Sequence, residues 1–175
     1  ENSKYFKVEP IKWRVISVDE NDAFLLAEKC LDSQPYNKEE TAATWETCSL
    51  RTWLNNDFFN RAFSSEEQAV IKETTVVNND IPNSNNDKKD IINTSDKIYL
   101  LSLAESQNVK YGFSEGYNVT NQAREAEITS YGNGGHYYEW WLRNSSMINP
   151  SYVYTVEQNG EIDDNPSCDN NAGNV

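Results

Sequence analysis

Oxygen-bearing side chains crowd the last stretch of this chain, and the chemistry open to them is metal binding. Glu161, Asp163, Asp164, Asn165, Asp169 and Asn171 offer the carboxylate and amide oxygens that Ca²⁺ takes in sets of about six to eight. Their spacing departs from the EF-hand loop, and an exposed acidic turn accounts for the same residues, so the expectation is no cofactor, with Ca²⁺ as the one candidate ion. His136 is the single histidine, and a lone imidazole beside Gly132-Asn133-Gly134-Gly135 reads as a loop residue ahead of a general base. No serine lies in a nucleophile-elbow pattern, no two histidines can share a metal, and no Gly-rich phosphate loop follows a strand. Cys30, Cys48 and Cys168 form no C-x-x-C pair. The first two lie in apolar surroundings and are expected to be small buried hydrophobes, while Cys168 belongs to a loop. No catalytic residue is expected.

Recognition chemistry is better represented. Trp140 and Trp141 point to opposite faces of one strand, so one is core and its neighbour is available to a second layer or a surface. Tyr152 and Tyr154, with Tyr137 and Tyr138, add rings that cover area at low rotamer cost and keep a hydroxyl for hydrogen bonding. The ligand-binding set expected from the sequence is Trp141, Tyr152, Tyr154, Asn144, Asp164, Asn165 and Asn170. Ordinary core packing is the alternative for any single tyrosine.

Composition narrows the partners. A chain of 175 residues with 28 acidic and 15 basic side chains carries a formal charge of −13, which opposes nucleic acid and anionic lipid surfaces. Five Trp, ten Tyr and six Phe supply a sizeable core for a single domain over residues 1–175. No apolar run approaches the roughly 20 residues of a membrane span, so no membrane insertion is expected. The chain starts at Glu1, which leaves a leader or anchor open.

The elements that must position these residues begin with a hairpin. Ile11 to Val18 alternates apolar and polar residues, Asp19 to Asp22 supplies a turn, and Ala23 to Ala27 resumes a strand. Leu50, Trp53, Leu54, Phe58 and Ala62 recur at helical spacing and predict one apolar stripe. Ser64 can cap a second short helix, with Glu67 or Gln68 reaching back. The Asn- and Asp-rich run from Asn78 to Asp96 is expected as an exposed loop. Lys97 to Leu101 reads as a strand, Ser102 to Glu105 as a helix start, and Asn121 to Glu127 as one more helix. Ser151 to Val156 before Gln158-Asn159-Gly160 closes the pattern as a strand and turn.

Four segments carry a resemblance. Lys12-Trp13-Arg14-Val15, Trp45-Glu46-Thr47-Cys48-Ser49-Leu50-Arg51-Thr52-Trp53-Leu54-Asn55, Tyr99-Leu100-Leu101-Ser102 and Trp140-Trp141-Leu142-Arg143 resemble, in that order, an uncharacterised bacterial surface-domain family over nearly the whole chain. The resemblance implies an α+β domain similar to the C-type lectin fold, with a mixed or antiparallel twisted sheet, two or three short helices and long loops. It also implies a closing strand after the Asn-rich loop, where this chain stops at Val175; without it one sheet edge is left unpaired. Formylglycine-generating enzymes share that fold and use a closely spaced Cys pair late in the chain, where only Cys168 stands here. In retroelement-diversified proteins of the same fold, variable positions resemble Asn144 to Ser151, Tyr154 and Asp163 to Asn171, although AT-rich codon usage also enriches Asn.

The reading that follows is an extracellular, bacterial cell-surface module, part of a larger surface protein, that recognises a protein or glycan through its C-terminal loops. A relative of the formylglycine-generating oxidases and a structural spacer are the alternatives.

Overall fold

The computed structural model describes residues 10–79, 92–117, 119–128, 139–146, 149, 151–164 and 175. The expected hairpin forms: β1 (Trp13–Asp19) runs antiparallel to β2 (Asp22–Ala27) around Glu20-Asn21, with a bulge between Val15 and Ser17. β3 (Lys29–Cys30) pairs in parallel with β6 (Glu127–Ile128). β4 (Thr74–Val76) and β5 (Thr94–Asp96) form a second antiparallel pair, and β7 (Trp140–Ser145), β8 (Val153–Val156) and β9 (Ile162–Asp163) form a three-stranded antiparallel sheet. The fold is α+β; the described residues form four small sheets and one main helical run.

That run corrects the stripe expected from sequence. α1 (Ser49–Trp53) passes into a π-helical turn at Leu54–Phe58 and then into α2 (Phe59–Ala62). A π turn bonds five residues back and inserts one residue into the helical phase. The buried positions therefore run Leu50, Leu54, Phe59, while Phe58 is only half-buried and Ala62 is exposed. α3 (Ser65–Val70) starts as expected at Ser64, and Glu67 is the residue that completes the capping box. Lys97 to Leu101 bends at Lys97-Ile98 and joins no sheet among the described residues, and Asn121 to Ala126 makes only a turn. Ahead of a short 3₁₀ turn at Glu105–Gln107 the Ser102 hydroxyl accepts from Glu105 N at 3.0 Å while Glu105 Oε2 accepts from Ser102 N at 2.7 Å.

β7 divides the core. Trp141 belongs with Tyr36, Trp45, Leu50, Leu54, Val76 and Val153 on one side. Leu142 belongs with Ile16, Leu101, Leu103, Phe113, Tyr154, Val156 and Ile162 on the other. Both faces are covered, so alternation along β7 and β8 separates two cores instead of a core from solvent.

The long central motif is used for this architecture. Trp45 Nε1 donates to Asp96 Oδ2 at 3.0 Å, and Arg51 Nε donates to Asp96 Oδ1 at 2.7 Å. The Cys48 sulfur caps α1 by accepting from Arg51 N at 3.5 Å. Asn55 accepts from Lys97 N and Ile98 N and donates to Ile98 O at 2.9 Å. Each side chain of the motif that contacts β5 or its exit fixes that strand to the helix, a structural duty that leaves little for ligand chemistry.

Candidate functional site

An aromatic groove of about 1030 Å³ opens between the β1–β2 hairpin, the π-helical turn, β4 and the start of β7. Its size is at the upper end of the roughly 300–1,000 Å³ common for ligand sites. Trp13, Phe24, Trp53, Phe58, Phe63, Tyr99, Tyr111 and Trp140 line it and are all half-buried. The rings hold one another in place: Phe24 stacks on Tyr99 at 5.5 Å and 23°, Trp13 on Phe63 at 6.2 Å and 24°, and Trp53 tilts against Phe58 at 5.4 Å. Offset stacking of this kind adds about 0.5–1.5 kcal/mol per pair beyond area burial, so the walls are preformed. Burial pushes the Tyr99 hydroxyl up to about 12, with the nearby Glu105 carboxylate adding to the effect. Tyr99 is thus a neutral donor across the ordinary pH range.

The expected ligand-binding residues are distributed differently. Trp141 is 0 % exposed and its indole N–H donates to Gln34 O at 2.8 Å. Tyr154 is buried against Tyr117 at 6.1 Å. Asn144 is buried too, accepting from Leu103 N at 2.7 Å and donating to Asn78 O at 3.3 Å. These three positions correct the sequence reading, because β7 beyond Trp140 and its neighbour β8 are covered on both faces; Trp141 borders the groove described above but is fully covered, and Trp140 is the residue of β7 left half-buried there. The same burial removes Asn144 and Tyr154 from any variable surface. Tyr152 and Asp164 are half-buried, and Asp164 N donates to Asp163 Oδ1 at 2.7 Å. Asn165 and Asn170 lie outside the described residues, as do His136, Tyr137, Tyr138, Cys168, Asp169 and Asn171. Among the described residues, no group of three or more His, Cys, Asp or Glu side chains is arranged to hold a metal. Glu139, which accepts from Thr155 Oγ1 at 3.3 Å, has its carboxyl raised chiefly by burial.

The groove was missed because Trp53 and Phe58 were assigned to the core stripe and Trp13, Phe24 and Tyr99 to separate elements. The available signal was an aromatic excess on those elements. The family model described as a domain of unknown function (DUF6273) matches residues 20–174. The chain belongs to the DUF6273 family. No curated protein and no solved structure matches it. In this DUF6273 domain the match spans the groove walls other than the first strand of the hairpin and Val175.

Cys30 and Cys48 of the DUF6273 domain are buried, as expected. Burial pushes the Cys30 thiol up to about 12, and it pushes Cys48 up to about 11 against lowering hydrogen bonds led by the one from Arg51 N. Such thiols are poor nucleophiles. An unfolded thiol ionises near 8.5, so these groups favour the folded state fully below that pH. Their contribution is lost as pH rises toward their folded values, with Tyr99 acting in the same direction. The expected result is a melting midpoint that is flat between about pH 7 and about pH 8.5 and falls steadily up to about pH 12, with a shallower fall in Cys30→Ala. Thermal unfolding monitored by circular dichroism across that range measures it.

Proposed function

We propose that this domain is a recognition module of a bacterial surface protein, acting outside the cell by binding a protein segment in the aromatic groove and carrying out no catalysis. The C-type-lectin-like architecture belongs to the same proposal: small antiparallel sheets, short helices and long connections are compatible with it. The observation that carries the reading is the set of eight aromatic residues left half-buried around one groove. A core would have sealed these rings, and an indifferent surface would not have collected them.

A protein segment suits the groove better than a glycan. Leu26, Leu54, Ile98 and Leu100 also line the groove and match apolar side chains, whereas a sugar needs a polar partner for most of its hydroxyls. The test is binding to arrays of short peptides and of glycans by the native domain and by Phe58→Asp, with Val109→Ser, an exposed apolar position away from the groove, as control. Peptide binding that is lost in Phe58→Asp and kept in Val109→Ser is the expected outcome. Glycan binding alone would overturn the choice of ligand, and peptide binding indifferent to Phe58→Asp would overturn the choice of site.

A further inference from the structure

We propose that the groove holds a proline-rich segment of a partner protein in the polyproline II conformation, with carbonyl groups of the segment accepting hydrogen bonds from Trp13, Trp53, Tyr99 and Tyr111. This rests on the groove reading above and names the class of peptide.

The order of the rings supplies the first argument. One row runs Trp13, Phe63, Phe58, Trp53 through centroid steps of 6.2, 6.0 and 5.4 Å. The other runs Tyr99, Phe24, Tyr111 through steps of 5.5 and 5.9 Å. Phenylalanine occupies the middle of each row, and a residue with both a ring and a polar tip stands at each end. Aromatic-lined grooves of this kind dock proline-rich segments, whose flat apolar rings repeat along a helix that rises about 3.1 Å per residue and leaves its backbone without internal hydrogen bonds.

The polar tips supply a second, independent argument. Trp45, Trp140 and Trp141 each commit the indole N–H within the protein, to Asp96 Oδ2 at 3.0 Å, Arg124 O at 3.1 Å and Gln34 O at 2.8 Å. Among the described residues the Trp13 and Trp53 indoles and the Tyr99 and Tyr111 hydroxyls make no such bond. None of those four atoms is sealed inside the protein, so a ligand can reach them. Burial raises both tyrosines above their ordinary range, which keeps their hydroxyls protonated and able to donate.

An ordinary peptide brings one backbone N–H for each carbonyl, and every such N–H left without an acceptor against the rings costs about 1–3 kcal/mol. Proline has no N–H. A run of prolines therefore offers acceptors alone, which complements the four donors, and it is already extended in water, so ordering it costs little. Six acidic and five basic side chains border the groove, a near balance that suits an uncharged segment. The five prolines of this chain stand singly, so a second copy offers no such run and the partner is a different protein.

The experiment titrates the 175-residue chain with a blocked octaproline by calorimetry, beside a blocked octapeptide alternating valine with serine. Tyr99→Phe with Tyr111→Phe removes two donors and keeps both rings, and Trp13→Phe with Trp53→Phe removes the other two. The expected result is binding of octaproline, at least tenfold weaker binding of the valine peptide, and a loss of about fivefold or more in each double variant. The tyrosine variant should melt as the native chain does, because its hydroxyls hold nothing within the protein. Equal octaproline affinity in the native chain and both double variants would overturn the proposal, as would octaproline binding indifferent to Phe58→Asp. Failure of octaproline beside array peptides whose binding is lost in Phe58→Asp would overturn the proline assignment and keep the groove reading. A glycan bound in place of any peptide, and weakened in the tyrosine variant, would overturn both and make the occupant a sugar.

Discussion

Arg143→Leu is expected to lower stability by about 3–5 kcal/mol, because it leaves the Glu105 carboxylate and several backbone acceptors without their shared partner. The guanidinium is buried, and its Nη1 donates to Glu105 Oε2 at 2.6 Å and to Leu100 O at 2.8 Å. Nη2 donates to Val77 O at 2.8 Å, and the plane of charge sits 5.8 Å from the Tyr99 ring. Main-chain atoms of the same residue add a bond from Arg143 N to Leu101 O and one from the Tyr36 hydroxyl to Arg143 O at 2.7 Å. One side chain thus ties the exit of β4, the segment before Ser102 and the central strand. Against a typical total of about 5–15 kcal/mol, the loss is enough to leave much of the chain unfolded. Removing both charges, in Arg143→Leu with Glu105→Leu, is expected to cost less than the two single changes added together, since neither partner is then stranded. Urea unfolding of the four proteins gives the coupling; strict additivity would show that the pair contributes nothing specific.

Gly160→Ala is the second large effect. Gly160 has φ +79°, and a Cβ there would lie 2.2 Å from Asn121 O and 2.8 Å from Asn121 C and N. These are backbone atoms already committed, since Asn121 N donates to Asn159 O at 3.1 Å and Asn121 O accepts from Arg124 N at 2.8 Å. They cannot rotate aside. The strained backbone adds about 1–3 kcal/mol and overpacking a similar amount, about 1–3 kcal/mol. Gly112 is the control: its φ is +85°, but a Cβ there meets nothing within 4 Å. Gly112→Ala is therefore expected to cost about 1–2 kcal/mol, the left-handed conformation alone. Equal destabilisation by the two substitutions would show that the close approach to Asn121 is relieved in solution.

The sequence revealed the elements whose signals are local. Asp19 to Asp22 and Gln158 to Gly160 mark turns through their own chemistry, and Ser64 with Glu67 forms a capping box within four successive residues. The helix over Ser49 to Ala62 was legible in outline. Its inward face was not, since a stripe drawn at 3.6 residues per turn places Phe58 and Ala62 inward, and the π turn selects Phe59. Lys97 to Leu101 reads as a strand from composition, but its backbone is taken up by Asn55 and Arg143. The candidate site was legible only as aromatic content. Alternation along Trp140 to Ser145 cannot reveal that both faces are covered, because the second layer comes from residues remote in sequence. The groove likewise gathers rings from segments that sequence reasoning treats one at a time.

The bonds that place β7 between its two cores also set how this chain reaches its folded form. Gln34 O meets the Trp141 indole and the Tyr36 hydroxyl meets Arg143 O, in both cases across 107 residues. Closing so long a loop forfeits chain entropy before either core can form, and proteins dominated by distant pairings fold in about milliseconds to seconds. The β1–β2 hairpin and the Ser64-capped helix need no such closure. Refolding should therefore show early local structure and a slow final step in which Trp141 fluorescence changes. During that interval the aromatic walls lie open to other unfolded copies, so yield on refolding should fall as protein concentration rises.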